Sequence, residues 1–178
     1  MDNNTTVIYR IDAEDNIVFV NNIWEQFAVS NNASECASEN VLTQSLWDSV
    51  SNDASRQIYQ EIIRKVRANK RVAFNFRCDS PEWRRFLEMD ITAREDEVQF
   101  EIRTLKTEQR PPQYILDKNA LRSDEFIEIC GWCKKVDVGQ ENWIEVEEAV
   151  RTLGIFEQER FPELSHGMCE NCYETMAD

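Results

Sequence analysis

Two cysteine pairs, Cys130-Gly131-Trp132-Cys133 and Cys169-Glu170-Asn171-Cys172, have the residue type and spacing of metal chemistry. A two-residue gap lets two thiolates converge on one ion within a single turn, and two such hooks close a tetrahedron. Zn2+ is the ion this set suits. Because protein fills all four positions, none is left for water or substrate, and the expected role is structural. The 35 residues between the hooks exceed what a minimal ribbon needs, so that span must hold structure of its own. Ser165-His166-Gly167 stands just ahead of the second hook. His166 is the only histidine in the chain. It is expected to support the site from outside, by a hydrogen bond or by shaping the turn with Gly167. Lys134 and Lys135 follow the first hook and can offset the negative charge of Zn2+ held by four thiolates. A solvated face is the plainer alternative for these two.

The same cysteines admit a redox reading. A CxxC pair can cycle between dithiol and disulfide, which would make the chain a thiol-based sensor whose oxidation releases zinc. No thioredoxin-like βαβ context accompanies the hooks, and two hooks close a metal site better than they build one redox centre. Cys36 and Cys78 stand alone and are expected to be small buried hydrophobes.

Little else in the sequence suggests catalysis. With one histidine, and that in the tail, the front of the chain can hold neither a Ser-His-Asp triad nor a histidine-ligated haem. No pair of carboxylates is placed by a motif for acid–base work. Arg77, Arg84 and Arg85 could bind an anion, but solvated strand edges are the simpler reading. Trp24, Trp47, Trp83 and the phenylalanines read as core in preference to a ligand pocket. The chain is expected not to be an enzyme.

Charge narrows the partners. The net charge is −14, and residues 111–178 carry 6 basic and 15 acidic side chains, a net of −9. So acidic a surface repels phosphate backbones and anionic headgroups, so neither nucleic acid nor membrane is an expected partner. The first residues, Met1-Asp2-Asn3-Asn4, carry no basic region or apolar run, and no stretch approaches a membrane span. Six cysteines in such a chain fit a reducing cytoplasm.

The elements that must position the hooks can be read from periodicity. Val7–Ile11 and Ile17–Val20 flank a polar turn, as in a hairpin. A short helix is expected from Asn21-Asn22, then a polar irregular stretch over 30–40, then helical spacing of Leu46, Trp47 and Val50. Asp53 could cap a longer helix with Tyr59, Ile62, Ile63 and Val66 on one stripe, ending at Asn69-Lys70. Strands follow over 72–78, 83–92 and 98–105. Pro111-Pro112 marks a spacer. The expected domains are 1–106, a linker over 107–122, and a four-cysteine module over 123–178. Within that module Trp143, Val146, Val150 and Leu153 share one face of a helix, and a helical turn follows Cys172.

Two strands, short helices, a longer helix and three strands is the order of a PAS domain. The run from Tyr9 through Asp12, Asn16 and Asn22 to Trp24 resembles the opening of bacterial PAS sensors, and Phe76–Pro81 with Arg84-Arg85-Phe86 resembles their third and fourth strands. The tail is similar to a cysteine-rich segment that follows sensory domains in bacterial signalling proteins. It matches through Ile129–Lys135, Trp143, Glu147 and Leu164–Cys172. The resemblance implies an α+β fold: a five-stranded antiparallel sheet with helices across one face, plus a small treble-clef-like zinc module. The space the sheet and helices enclose either holds a small-molecule ligand of unknown identity or is packed. Sensing or protein interaction is implied, with a homodimer common among such domains. The chain ends six residues after Cys172 and carries no kinase or cyclase signature. Output is therefore expected to pass through a protein partner.

Overall fold

The computed structural model describes residues 6–30, 33–50 and 53–177. By contacts the chain divides into two compact units, Met1–Asn75 with Leu87–Leu105, and Phe76–Phe86 with Lys106–Asp178.

The first unit is built on a sheet of order β2-β1-β5-β4-β3. Its strands are β1 (Val7–Ile11), β2 (Ile17–Val20), β3 (Val72–Arg77), β4 (Trp83–Arg94) and β5 (Glu97–Gln109). Asp12 folds the β1–β2 turn by accepting from the Glu14 and Asn16 amides at 3.0 and 2.8 Å, the usual service of a turn aspartate. Strand β1 then pairs antiparallel with β5, Val7 opposite Ile102 and Ile11 opposite Val98. Period-two alternation puts Tyr9 and Ile11, Leu87, Met89 and Ile91, and Val98 and Phe100 in the core. The other face is charged: Arg10 pairs with Glu97, Arg71 with Asp90 and Arg103 with Glu88.

Between β2 and β3 run α1 (Asn22–Ser30), a 3-10 turn at Ser34–Cys36, α2 (Ser38–Val41), a 3-10 turn at Leu46–Ser49 and α3 (Asp53–Arg67). The polar stretch expected over 30–40 lies partly outside the described residues. Helix α3 buries Ile62, Ile63 and Val66. It ends where Asn69 turns left-handed at φ 60° while Lys70 donates to the Lys65 carbonyl, a Schellman-type stop. The Tyr9 ring stacks on Phe100 at 4.4 Å and meets Trp24 edge-on. The tryptophans differ from expectation: Trp24 and Trp47 are half-buried with indole N–H groups bonded to Cys36 O and Asp15, and Trp83 is exposed. Cys36 and Cys78 are likewise half-buried, not core residues.

The second unit has a sheet of its own, order β8-β7-β6-β9. It comprises β6 (Arg122–Cys130), β7 (Val136–Asp137), β8 (Trp143–Ile144) and β9 (Phe161–Gly167), with α4 (Val146–Thr152) before β9 and α5 (Glu170–Ala177) after it. Ile115, Ile127, Ile129, Val136, Val146 and Ile155 are the heart of its core. Strand β5 continues through Gln109, beyond the boundary expected at 106. The helix expected to include Trp143 starts later. Trp143 is drawn into β8 by pairing with Asp137, and α4 begins only after Glu145.

Candidate metal centre

Strand pairing, not proximity in sequence, assembles this site. Strands β6 and β9 run parallel, with Ile127 opposite Leu164, Ile129 opposite His166 and Cys130 opposite Gly167. The first hook begins where β6 ends, and the amide of Gly131 donates to the Gly167 carbonyl at 2.9 Å. The chain then reaches Cys169, and Cys172 lies in the first turn of α5. The space a Cβ would occupy at Gly167 is filled by the Glu128 carboxyl group, 1.6 Å away from an ideal Cβ. A side chain there would have to displace that carboxylate.

All four Sγ atoms lie within 4.8 Å of one another, and Cys133 Sγ is 3.7 Å from Cys169 Sγ. A tetrahedron with metal–sulfur bonds of about 2.3 Å has edges of roughly 3.8 Å, so the sulfurs fit a zinc-sized ion. Cys130 and Cys169 are buried, while Cys133 and Cys172 are half-buried. Backbone amides point at the sulfurs. Cys169 N–H donates to Cys130 Sγ at 3.5 Å, the Cys133 amide also reaches Cys130, and the Lys135 amide reaches Cys133. Such N–H···S bonds stabilise the thiolate form that a metal requires.

Four sulfurs this close cannot all ionise side by side. Hydrogen bonds from the Cys133 and Cys172 thiols hold Cys130 far below the ordinary thiol range. The same bonding to Cys130 pushes Cys133 up to about 12 and raises Cys172 as well. A dication placed among them removes that competition. The donor set, its spacing and its amide support all fit one tetrahedral ion.

The other residues expected at the site fall around it. Lys134 adopts a left-handed φ of 60° and donates its amide to Cys130 O at 3.0 Å and its ammonium to Gly131 O at 2.7 Å. Burial lowers its pKa. Lys135 accepts from the Cys130 amide at 2.7 Å through its carbonyl. His166 is solvent-exposed on β9, its pKa lowered first by desolvation and then by the Lys134 ammonium.

Of the three arginines read as solvated strand edges, Arg77 is buried instead. Its guanidinium makes two bonds to Asp79 and two to Glu145. Arg84 pairs with Glu147 at 2.7 Å, and Arg110 bridges Asp79 and Glu147 at 3.2 and 3.1 Å. Sequence reading missed this cluster. Its signal was the alternation of arginines and acids over 77–85 facing Glu145 and Glu147.

In the larger sheet three helices are inserted between the second and third strands in chain order, and β5 lies at the centre between β1 and β4. The fold is PAS-like. No family model and no curated protein matches the chain. Solved structures do resemble this PAS-like sheet. One is the PAS domain of an HTR-like protein from Haloarcula marismortui, 20% identical over 58% of this chain and 90% of that one, with a TM-score of 0.41. Another is the photoactive yellow protein domain of the sensor histidine kinase Ppr from Rhodospirillum centenum, at 14%, 57%, 87% and 0.39. A sensory box histidine kinase from Vibrio cholerae stands at 11%, 59%, 85% and 0.41. Among the described residues, no helix is long and apolar enough to cross a membrane.

Proposed function

We propose that this chain is a bacterial cytoplasmic signalling sensor or adaptor without catalysis of its own. In this reading its PAS-like part binds a ligand or a protein partner, and its tail is a structural zinc module that mediates interaction or output. The observation that carries the proposal is the closed set of four sulfurs within 4.8 Å, joined to a PAS-like sheet in one chain. A site with four protein donors stabilises a fold and leaves no position for chemistry. Cys130, Cys133, Cys169 and Cys172 would hold the ion, with His166, Lys134 and Lys135 tuning it from outside. The acidic tail favours a protein partner over nucleic acid, and homodimerisation through the PAS-like part is part of the reading.

A second reading takes the CxxC pairs as redox thiols whose oxidation releases zinc, and the short distance between Cys133 and Cys169 favours it. At 3.7 Å their sulfurs are close enough to join after modest movement. Hydrogen peroxide would take two electrons from a thiolate pair, form the S–S bond, release the ion and, with two protons from solvent, leave as two water molecules. Metal analysis of untagged protein purified without added metal tests the main reading. About one zinc per chain supports it. Absence of zinc, or substantial iron, overturns it.

A further inference from the structure

The first hook is held partly by a residue far upstream. Three of its carbonyls are each taken. Cys130 O accepts the Lys134 amide, Gly131 O accepts the Lys134 ammonium, and Trp132 O accepts the amide of Arg77 at 2.7 Å. Arg77 ends β3 and opens the hairpin Phe76–Phe86, which belongs to the second compact unit.

That hairpin is fixed by buried charge. The side chains of Arg77, Asp79 and Arg110 are 8%, 1% and 4% exposed. Arg110 also donates to the carbonyls of Ser80 and Pro81, and its amide donates to Glu82 O. The Gln113 amide closes the turn onto Pro81 O. Cations and carboxylates desolvated together stay only if each keeps its partners, so the cluster holds one arrangement. Trp132 itself is buried, and its carbonyl would be costly to leave unbonded.

Resting on the four-cysteine reading above, we infer that the hairpin Phe76–Phe86 is an integral wall of the metal centre, with Arg77 a positioning residue for its first hook. Metal occupancy and hairpin order are then linked. The hairpin holds the hook in its chelating shape, and by reciprocity the ion stabilises the hairpin by the same factor.

Amide hydrogen exchange on the full chain, zinc-loaded and chelator-stripped, tests this without mutation. Stripping is expected to lower protection over 76–86 by at least about tenfold, in step with 130–135, while β1 keeps its protection. Loss confined to the hooks would overturn the inference. In a parallel titration, Arg77→Ala, which keeps the amide but removes the guanidinium that aims it through Asp79 and Glu145, is expected to bind cobalt(II) about 10- to 100-fold more weakly with its thiolate charge-transfer bands unmoved. Arg77→Lys should recover part of that loss. Parental affinity in Arg77→Ala would overturn the positioning role. If the parent protein shows no tetrahedral thiolate spectrum, the four-cysteine reading fails first and the inference fails with it.

Discussion

Cys130 and Gly167 stand opposite each other in the parallel β6–β9 pair, and one hydrogen bond beyond them, from Gly131 to the Gly167 carbonyl, locks the register. A slip of one residue would turn alternate side chains to the wrong face. It would also carry the second hook away from the first. The geometry of the candidate site is therefore as well defined as this pairing.

Replacing one of the four clustered cysteines tests whether the tail depends on a bound ion. Cys169 is 4% exposed, and structural zinc contributes on the order of 10 kcal/mol of apparent folding free energy in small modules. Cys169→Ala is expected to abolish the chelator-sensitive part of thermal unfolding, while the core around Phe100 and Ile11 still melts cooperatively. Circular dichroism with and without chelator makes the comparison. A variant that melts like the parent in both conditions would show that the tail folds without metal.

Metal uptake should depend steeply on pH. In the metal-free state the raised Cys133 and Cys172 carry protons at neutral pH, while the lowered Cys130 does not. Binding must expel at least the two protons on the raised pair, so affinity rises with pH and falls on acidification. Two protons correspond to about 100-fold in affinity per pH unit across the neutral range. Calorimetry in two buffers of different ionisation enthalpy counts them directly. A flat profile would mean that metal binding does not deprotonate Cys133 and Cys172.

The buried ion cluster and a surface pair should respond differently to truncation. Arg110→Ala strips partners from Asp79, Glu147 and two carbonyls. Breaking such a buried arrangement costs about 3–5 kcal/mol. Arg64→Ala, which loses only its exposed partner Glu61, should leave the urea midpoint where it was. Equal effects from the two variants would show that the cluster is no more than a surface network.

Much of this fold could be read in the chain because its cues are local. The Asp12 turn, the α3 stripe and the Asn69 stop each act within a few residues, and the hooks announce themselves by spacing. The parallel pairing of β6 with β9 could not be read, since nothing near Phe126 or Leu164 names the other. Arg77 was misread for a related reason. A strand-end arginine beside Asp79 looks like surface until Glu145, 68 residues away, arrives to desolvate it. Trp143 was assigned to a helix because its spacing to Val146 suits one, and pairing with Asp137 overrode that preference.

The distance between the hooks has a consequence for biosynthesis. Cys169 follows Cys130 by 39 residues, a delay of roughly 2–8 s on a translating ribosome. Through that interval the emerging chain would offer an ion only two of the four hook sulfurs, and whatever it captured would be free to leave again. On the four-cysteine reading, the final choice of ion would fall to the moment β9 pairs with β6, when four donors close at once.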